Sequence, residues 1–124
     1  MFPQLPAAVR VFLCTRPTDM RKSFDGLLGM VREFLGQDPL SGHLFLFLNR
    51  RRDRVKILFW ERDGLVIWYK RLEAGTFQKL DPASRADRSS GQAGLELTVT
   101  DLTLLLNGID VTTAQRRKRY ARAS

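Results

Sequence analysis

The chain has little of the two residue types that most often build disulfides and metal sites. Cys14 is its one cysteine and His43 its one histidine among 124 residues. This excludes an internal disulfide framework and a structural zinc site built from four Cys/His ligands. We predict that Cys14, inside an apolar run, is a small core residue rather than a nucleophile, and that His43 is structural. No cofactor or metal is expected.

Long apolar stretches are also missing. No span approaches the roughly 20 apolar residues that cross a membrane, and no lipidation motif is present. The apolar segment Met1–Pro6 contains two prolines and follows no cationic segment, so it does not resemble a signal peptide. We therefore expect a cytoplasmic protein without membrane attachment.

The length and composition indicate one domain. With 44% hydrophobic and 27% charged residues, a chain of this size can bury roughly two thirds of its unfolded surface. We predict a single α+β domain over residues 1–110. Residues 78–94 lack an apolar period and are expected to form a mobile loop, and residues 111–124 a basic, disordered tail.

The positive charge is concentrated in the tail. The chain has 21 Lys and Arg against 13 Asp and Glu, a net charge of +8. Five of the cations lie within residues 116–122, which leaves 16 against 13, or +3, for the rest. A basic tail is typical of nucleic-acid binding, and a solvated end without function is the alternative.

The first half reads as a strand followed by a helix. Residues 9–14 are rich in β-branched and large apolar residues, and Pro17 ends the strand. Thr18 is the expected helix N-cap. The spacing of the next apolar residues predicts one face of a helix that ends at Gly36. These residues are Phe24, Leu27, Leu28, Val31 and Leu35. Two glycines, Gly26 and Gly29, lie inside this helix. Either the helix backbone approaches a sheet closely there, or glycine is merely tolerated.

Three strands are predicted next: Leu44–Leu48, Arg54–Glu61 and Leu65–Leu72. Asp63-Gly64 is a strong hairpin signal between the last two. Both long strands are apolar on both faces, with one face expected on the helix and the other carrying Trp60 and Trp68. That second face must be covered within the chain or bind a partner or a second copy.

The C-terminal part predicts a short helix. Thr98 and Asp101 resemble a capping box, and an apolar stripe ends at Asn107-Gly108. The predicted fold is therefore α+β: a small, largely antiparallel sheet formed by a strand, a helix, a three-strand meander and a short helix.

The carboxylates give no indication of catalysis, since each has a structural explanation. Asp19 and Asp101 are in capping positions, Asp53 and Asp63 lie in hairpin turns, and Asp25 is on the polar side of its helix. We find no catalytic triad and no phosphate-cradling loop. The chain is therefore expected not to be an enzyme.

The arginines are better candidates for function. Asn49–Asp53 joins two apolar strands, so it should form a hairpin tip that presents Arg50, Arg51, Arg52 and Arg54 outward, with Lys56 extending the charge along a strand face. The alternative is a solvated turn in which Arg52 or Arg54 pairs with Asp53. Guanidinium groups suit phosphate oxygens, so we predict DNA contact through the tip and the tail residues Arg116, Arg117, Lys118 and Arg119.

Four segments resemble one known family. Thr18–Leu27 resembles its "TDMRKGFDGL" signature, Asp38–Phe45 its "DPFSGHLFVF", Asn49–Trp60 its "NRRRDRIKILYW", and Leu97–Asp110 its "LTxxxLxxLLxGID". Together they cover most of residues 5–110 in the family's order. The family is the small accessory protein of the IS-66 class of bacterial insertion sequences, often called TnpB or Orf2, which is distinct from the RNA-guided nuclease named TnpB.

The resemblance implies a role in transposition beside a larger transposase that carries the catalytic carboxylates. Ser23 departs from the pattern, which commonly has glycine there, and the Gln78–Gly94 segment is longer and more polar than usual. We expect a non-catalytic DNA-binding accessory protein whose partners are DNA and the transposase. The alternative is a protein–protein adaptor or homo-oligomer that uses Trp60 and Trp68 without contacting DNA.

Overall fold

The computed structural model describes residues 8–78 and 94–107. These form one five-stranded sheet in the order β4-β3-β2-β1-β5. The elements are β1 (Val11–Cys14), α1 (Phe24–Met30), β2 (Leu44–Leu48), β3 (Arg54–Glu61), β4 (Gly64–Arg71), β5 (Gly94–Leu97) and α2 (Val99–Leu106). Only β1 and β2 pair in parallel; the other pairs are antiparallel. The predicted α+β fold with its meander is confirmed, and β5 is a strand that the sequence pattern did not reveal.

The sheet is covered on both faces. On one face, Phe12, Phe45 and Leu58 pack with the apolar side of α1 and of the helical segment that continues it, contributed by Leu27, Met30, Val31 and Leu35. On the other face, Leu13, Leu46 and Ile57 pack with Phe77 and with the α2 residues Leu102, Leu105 and Leu106. The second face is therefore covered within the chain, by α2. The sequence predicted this helix but not the face of the sheet on which it packs.

The start of α1 differs from the prediction. The helix begins at Phe24 after Ser23, and Thr18 is only 4% exposed. The N–H of Thr18 donates to the Leu48 carbonyl at 2.8 Å, and its hydroxyl donates to the Arg16 carbonyl at 3.4 Å. Thr18 therefore does not cap α1, which begins six residues later. Asp19 caps a turn instead: it accepts from the Arg21 N–H at 2.9 Å, and hydrogen bonds from Arg21 lower the pKa of Asp19 to about 2.

The ends of the two helices match their sequence signals. Beyond α1 the chain continues as a wider π-helical segment, Val31–Leu35, which ends at Gly36 with φ 61°. At α2 the Thr98 hydroxyl accepts from the Asp101 N–H at 3.0 Å, and the Thr98 N–H donates to the Asp101 carboxylate at 3.1 Å. The predicted capping box is therefore confirmed.

The two tryptophans lie on opposite faces of the sheet. The β3–β4 hairpin has a two-residue turn, and its register pairs Trp60 with Leu65 and Ile57 with Trp68. Because paired residues share a face and successive residues alternate, Trp60 lies on the α1 side and Trp68 on the α2 side. The prediction that both occupy one face is wrong.

The glycines inside α1 do not mark a close approach to the sheet. A Cβ at Gly29 would meet no atom within 4 Å, and one at Gly26 would meet the Lys22 side chain at 3.2 Å. Of the two explanations given for them, tolerance of glycine fits the structure.

Gly29→Ala should therefore raise the free energy of unfolding by about 0.5–1 kcal/mol, since alanine loses less backbone entropy in a helix. Gly36→Ala should lower it by about 1–2 kcal/mol, because φ 61° is strained for a residue with a Cβ. Urea unfolding of the two variants and the parent measures both. A loss of stability in Gly29→Ala would contradict the open space around it.

Candidate nucleic-acid interface

One asparagine organises the β2–β3 tip. The side-chain oxygen of Asn49 accepts from the backbone N–H groups of Asp53 and Arg54 at 3.1 and 3.0 Å. Its amide group donates to the Asp53 carboxylate at 2.7 Å. The backbone adds bonds from Asn49 N to Arg54 O at 3.2 Å and from Arg52 N to Asn49 O at 3.0 Å. The tip is thus a defined platform for the side chains between these residues.

Arg50 and Arg51 extend from this platform into solvent, as predicted. Both are exposed. Across residues 8–78 and 94–107, neither side chain makes a hydrogen bond or an ion pair. Their guanidinium groups are available to an external anion.

Arg52 points the other way. Its backbone has φ 59°, and its guanidinium donates to the carbonyl of Phe77. The Phe77 N–H donates back to the Arg52 carbonyl at 2.7 Å, and the Phe77 ring is fully buried. Arg52 therefore fastens the segment after β4 to the tip, and the prediction that it is presented outward with its neighbours is wrong.

Arg54 faces a second arginine across the β3–β4 ladder, since its register partner is Arg71. Arg54 donates to the Tyr69 hydroxyl at 3.3 Å, and this bond is the main reason its pKa is raised above the ordinary value. Arg71 pairs with Glu73 at 2.9 Å. Like charges directly opposite one another destabilise a ladder, and an added anion would relieve them.

Lys56 does not extend the charge of the tip. It is 8% exposed, and its ammonium donates to the carbonyls of Met20 and Lys22 at 2.7 Å each. The same ammonium lies 4.8 Å from the centre of the Tyr69 ring. The predicted exposure of Lys56 is therefore wrong: it ties the segment before α1 to the sheet.

The sequence did not point to Arg16. Because β1 runs parallel to β2, the residues after β1 reach the same end of the sheet as the tip. There the exposed Arg16 lies over the Phe34 ring, 4.3 Å from its centre. The available signal was the strand–helix–strand order, which permits parallel neighbours. We call Arg16, Arg50, Arg51, Arg52, Arg54 and Arg71 the arginine end.

Two depressions flank Arg50 at the arginine end. One, of about 170 Å³, is lined by Arg16, Arg50 and Arg52 among others. The second, of about 340 Å³, is lined by Arg50, Arg51 and Arg54 together with the carboxylates of Asp19 and Asp53. Arg50 is common to both and stands between them. The first is therefore the more cationic of the two.

At the opposite end of the sheet, Arg10 is paired with a carboxylate of the chain itself. Arg10 donates twice to the Glu96 carboxylate, at 2.6 and 2.8 Å. The backbone N–H of Arg10 donates to Nδ1 of His43 at 3.0 Å. Burial lowers the pKa of His43, which favours the neutral ring that accepts this bond. His43 therefore has the structural role predicted for it.

No three His, Cys, Asp or Glu side chains in residues 8–78 and 94–107 converge in a way that could hold a metal ion. Cys14 is buried in the core as predicted, and burial raises the pKa of its thiol.

Some predicted features lie outside the described residues. They are the tail cations Arg116, Arg117, Lys118 and Arg119 and nearly all of the predicted 78–94 loop. In the part of the chain that is described, no helix has the length and apolar character needed to cross a bilayer.

Comparisons with known proteins agree with the sequence motifs. The family described as IS66 Orf2-like protein matches residues 9–116. The uncharacterized protein y4hO of Sinorhizobium fredii (strain NBRC 101917 / NGR234) is 33% identical over 102 residues, which is 82% of this chain and 82% of that protein. The uncharacterized protein y4jC of the same organism is 29% identical over 109 residues, 88% of this chain and 86% of that protein. No solved structure matches.

The family match extends from the start of the sheet, through the arginine end, to the beginning of the basic tail. It confirms the resemblance drawn from the four sequence segments: this chain belongs to the IS66 Orf2-like protein family.

Proposed function

We propose that this protein is a non-catalytic accessory factor for DNA transposition that binds the DNA backbone through its arginine end and its basic tail, and so assists the transposase. The observation that carries the proposal is the contrast within the tip. Arg52 is committed to Phe77, whereas Arg50 and Arg51 are exposed and have no partner in the described ranges.

The chemistry of these groups favours phosphate over bases. A guanidinium offers a planar fork of donors that matches phosphate oxygens. Base reading in the major groove commonly uses a helix placed in the groove, and the residues of the arginine end lie in loops, a turn and strands rather than on a helix. Contacts to phosphate alone carry no sequence information. We therefore expect affinity with little base preference from the arginine end.

Replacing both exposed tip arginines, Arg50→Ala/Arg51→Ala, should reduce the slope of log K against log salt for duplex DNA by about 1.8, since two phosphate contacts are lost. The matched control is Arg32→Ala/Arg62→Ala, which removes the same charge from exposed sites on the π-helical segment and the β3–β4 turn. Fluorescence anisotropy titrations at several salt concentrations measure the slopes. If the slope falls equally in both double variants, net charge alone explains the effect, which would contradict a binding site at the tip.

Deleting residues 116–124 tests the tail separately. If its five cations each neutralise one phosphate, the slope should fall by about 4–5. An unchanged slope would remove the tail from the proposal and leave the tip prediction standing. Combining the deletion with Arg50→Ala/Arg51→Ala shows whether the two contributions add.

Arg52→Ala should lower the free energy of unfolding by about 1–3 kcal/mol, because it leaves the buried Phe77 carbonyl without its side-chain donor. Arg51→Ala should change it by no more than about 0.5 kcal/mol, as expected for an exposed side chain without partners. Urea unfolding of the two variants distinguishes an arginine that stabilises the fold from an exposed arginine that does not. Equal stability losses would contradict the assignment.

The adaptor alternative does not survive in the form predicted from the sequence. It required one surface that contains both Trp60 and Trp68, and the hairpin register places them on opposite faces. A partner therefore cannot bind a single surface that contains both tryptophans.

A further inference from the structure

The β4 strand has an unpaired edge. In the described part of the chain it neighbours β3 alone, at one border of the sheet. It is eight residues long, and long unpaired edges are sites of strand addition unless charge, proline or a bulge blocks them. Between Leu65 and Tyr69 it has no charge and no proline. Edge pairing is therefore open to it.

The pairing pattern shows which backbone groups are available. The Leu72 N–H donates inward to the Asp53 carbonyl at 2.8 Å. In an antiparallel ladder, successive residues bond alternately to the two sides, so the even-numbered residues of β4 bond to β3. The N–H and C=O groups that face outward belong to the odd-numbered residues Leu65, Ile67, Tyr69 and Arg71.

The side chains on this edge are apolar and incompletely buried. Leu65, Val66, Ile67 and Trp68 are each half-buried, although they sit beside two well-packed cores. Tyr69 is 46% exposed. A strand added at this edge would cover all five from the side.

We propose that β4 pairs antiparallel with β4 of a second copy of this chain, joining two five-stranded sheets into one across a two-fold axis. This contact does not rest on the proposed DNA binding, although Arg71 belongs to both surfaces. An isologous contact requires a surface complementary to itself, and the distribution of charge along β4 meets that requirement. Asp63, in the turn, directly precedes the strand, and Lys70 and Arg71 are at its end.

The alternation fixes the register. Outward-facing residues must oppose one another, so odd-numbered residues pair with odd-numbered ones. Centring the axis on Ile67 sets Leu65 opposite Tyr69 of the second copy and Asp63 opposite its Arg71. The apolar stretch then pairs entirely with itself, and each end brings together opposite charges. Axes centred on Val66 or Trp68 set Asp63 opposite Tyr69 or opposite Glu73 of the second copy, and the pairing of opposite charges is lost.

The pair that Arg71 makes within its own chain does not oppose this contact strongly. Arg71 and Glu73 are 2.9 Å apart, with side chains 59% and 47% exposed. An ion pair at such exposure is worth only about 0–1 kcal/mol. Arg71 can therefore exchange Glu73 for Asp63 of the second copy, or contact both, at little loss.

Sedimentation equilibrium of the full chain over a range of concentrations tests the proposal. We expect a monomer–dimer equilibrium. Arg71→Asp places two acids opposite each other at both ends of the contact and should weaken the dimer by about tenfold or more. Asp63→Arg should do the same, and Asp63→Arg/Arg71→Asp should restore the parent's affinity. Arg32→Asp, the same charge change on α1's π-helical extension, is the control and should have no effect.

Ile67→Pro provides a second variant, since it removes the central outward N–H without removing a bond to β3. It should be monomeric with an unchanged circular dichroism spectrum; if it unfolds, the charge variants decide alone. A chain that is monomeric at every concentration overturns the proposal. So does a dimer insensitive to Arg71→Asp, or one that the double swap fails to restore. A monomer whose complex with the transposase is weakened by Arg71→Asp would assign the edge to that partner instead.

Discussion

The central strands are apolar on both sides, and this constraint organises the whole domain. Every residue of β1 and β2 is buried, so neither face of the sheet can be left to water. One helix must cover each face, which α1 and α2 do. Most charged side chains therefore lie at the two ends of the sheet, where the turns are. The position of the arginine end follows from this layering rather than from the arginines themselves.

The two ends of the sheet use their charges differently. At one end Arg10 is held by Glu96, and the cation supports the start of β1. At the other end the arginines divide into two groups. Arg52 holds a carbonyl of the fold, whereas Arg50 and Arg51 project into solvent. A basic sequence cluster is therefore not a uniform binding surface, and burial and partners decide which of its members an external polyanion can reach.

Local chemistry was readable from the sequence, and long-range placement was not. The Asp63-Gly64 hairpin, the Thr98–Asp101 cap and the Gly36 stop are each specified within a few residues, and all three occur. Thr18 was misassigned because a bond to a residue 30 positions away holds it against the end of β2, and the helix begins only at Phe24. Lys56 was misassigned because its partners are distant carbonyls. The β5 strand and the approach of Arg16 depend on the β1 pairings, which no local pattern contains. The faces of the two tryptophans could have been found, since a two-residue hairpin turn fixes cross-strand pairing.

The buried Lys56 has a practical consequence for chemical footprinting. Reagents that acylate amines need access to an uncharged nitrogen, and this ammonium is enclosed by two carbonyls and an aromatic ring. Lys22, four residues before Gly26, is exposed and has no such shield. Lys56 therefore serves as an internal reference, because any labelling of it reports that the native fold has opened. While Lys56 stays unlabelled, protection seen at other lysines can be attributed to a bound partner.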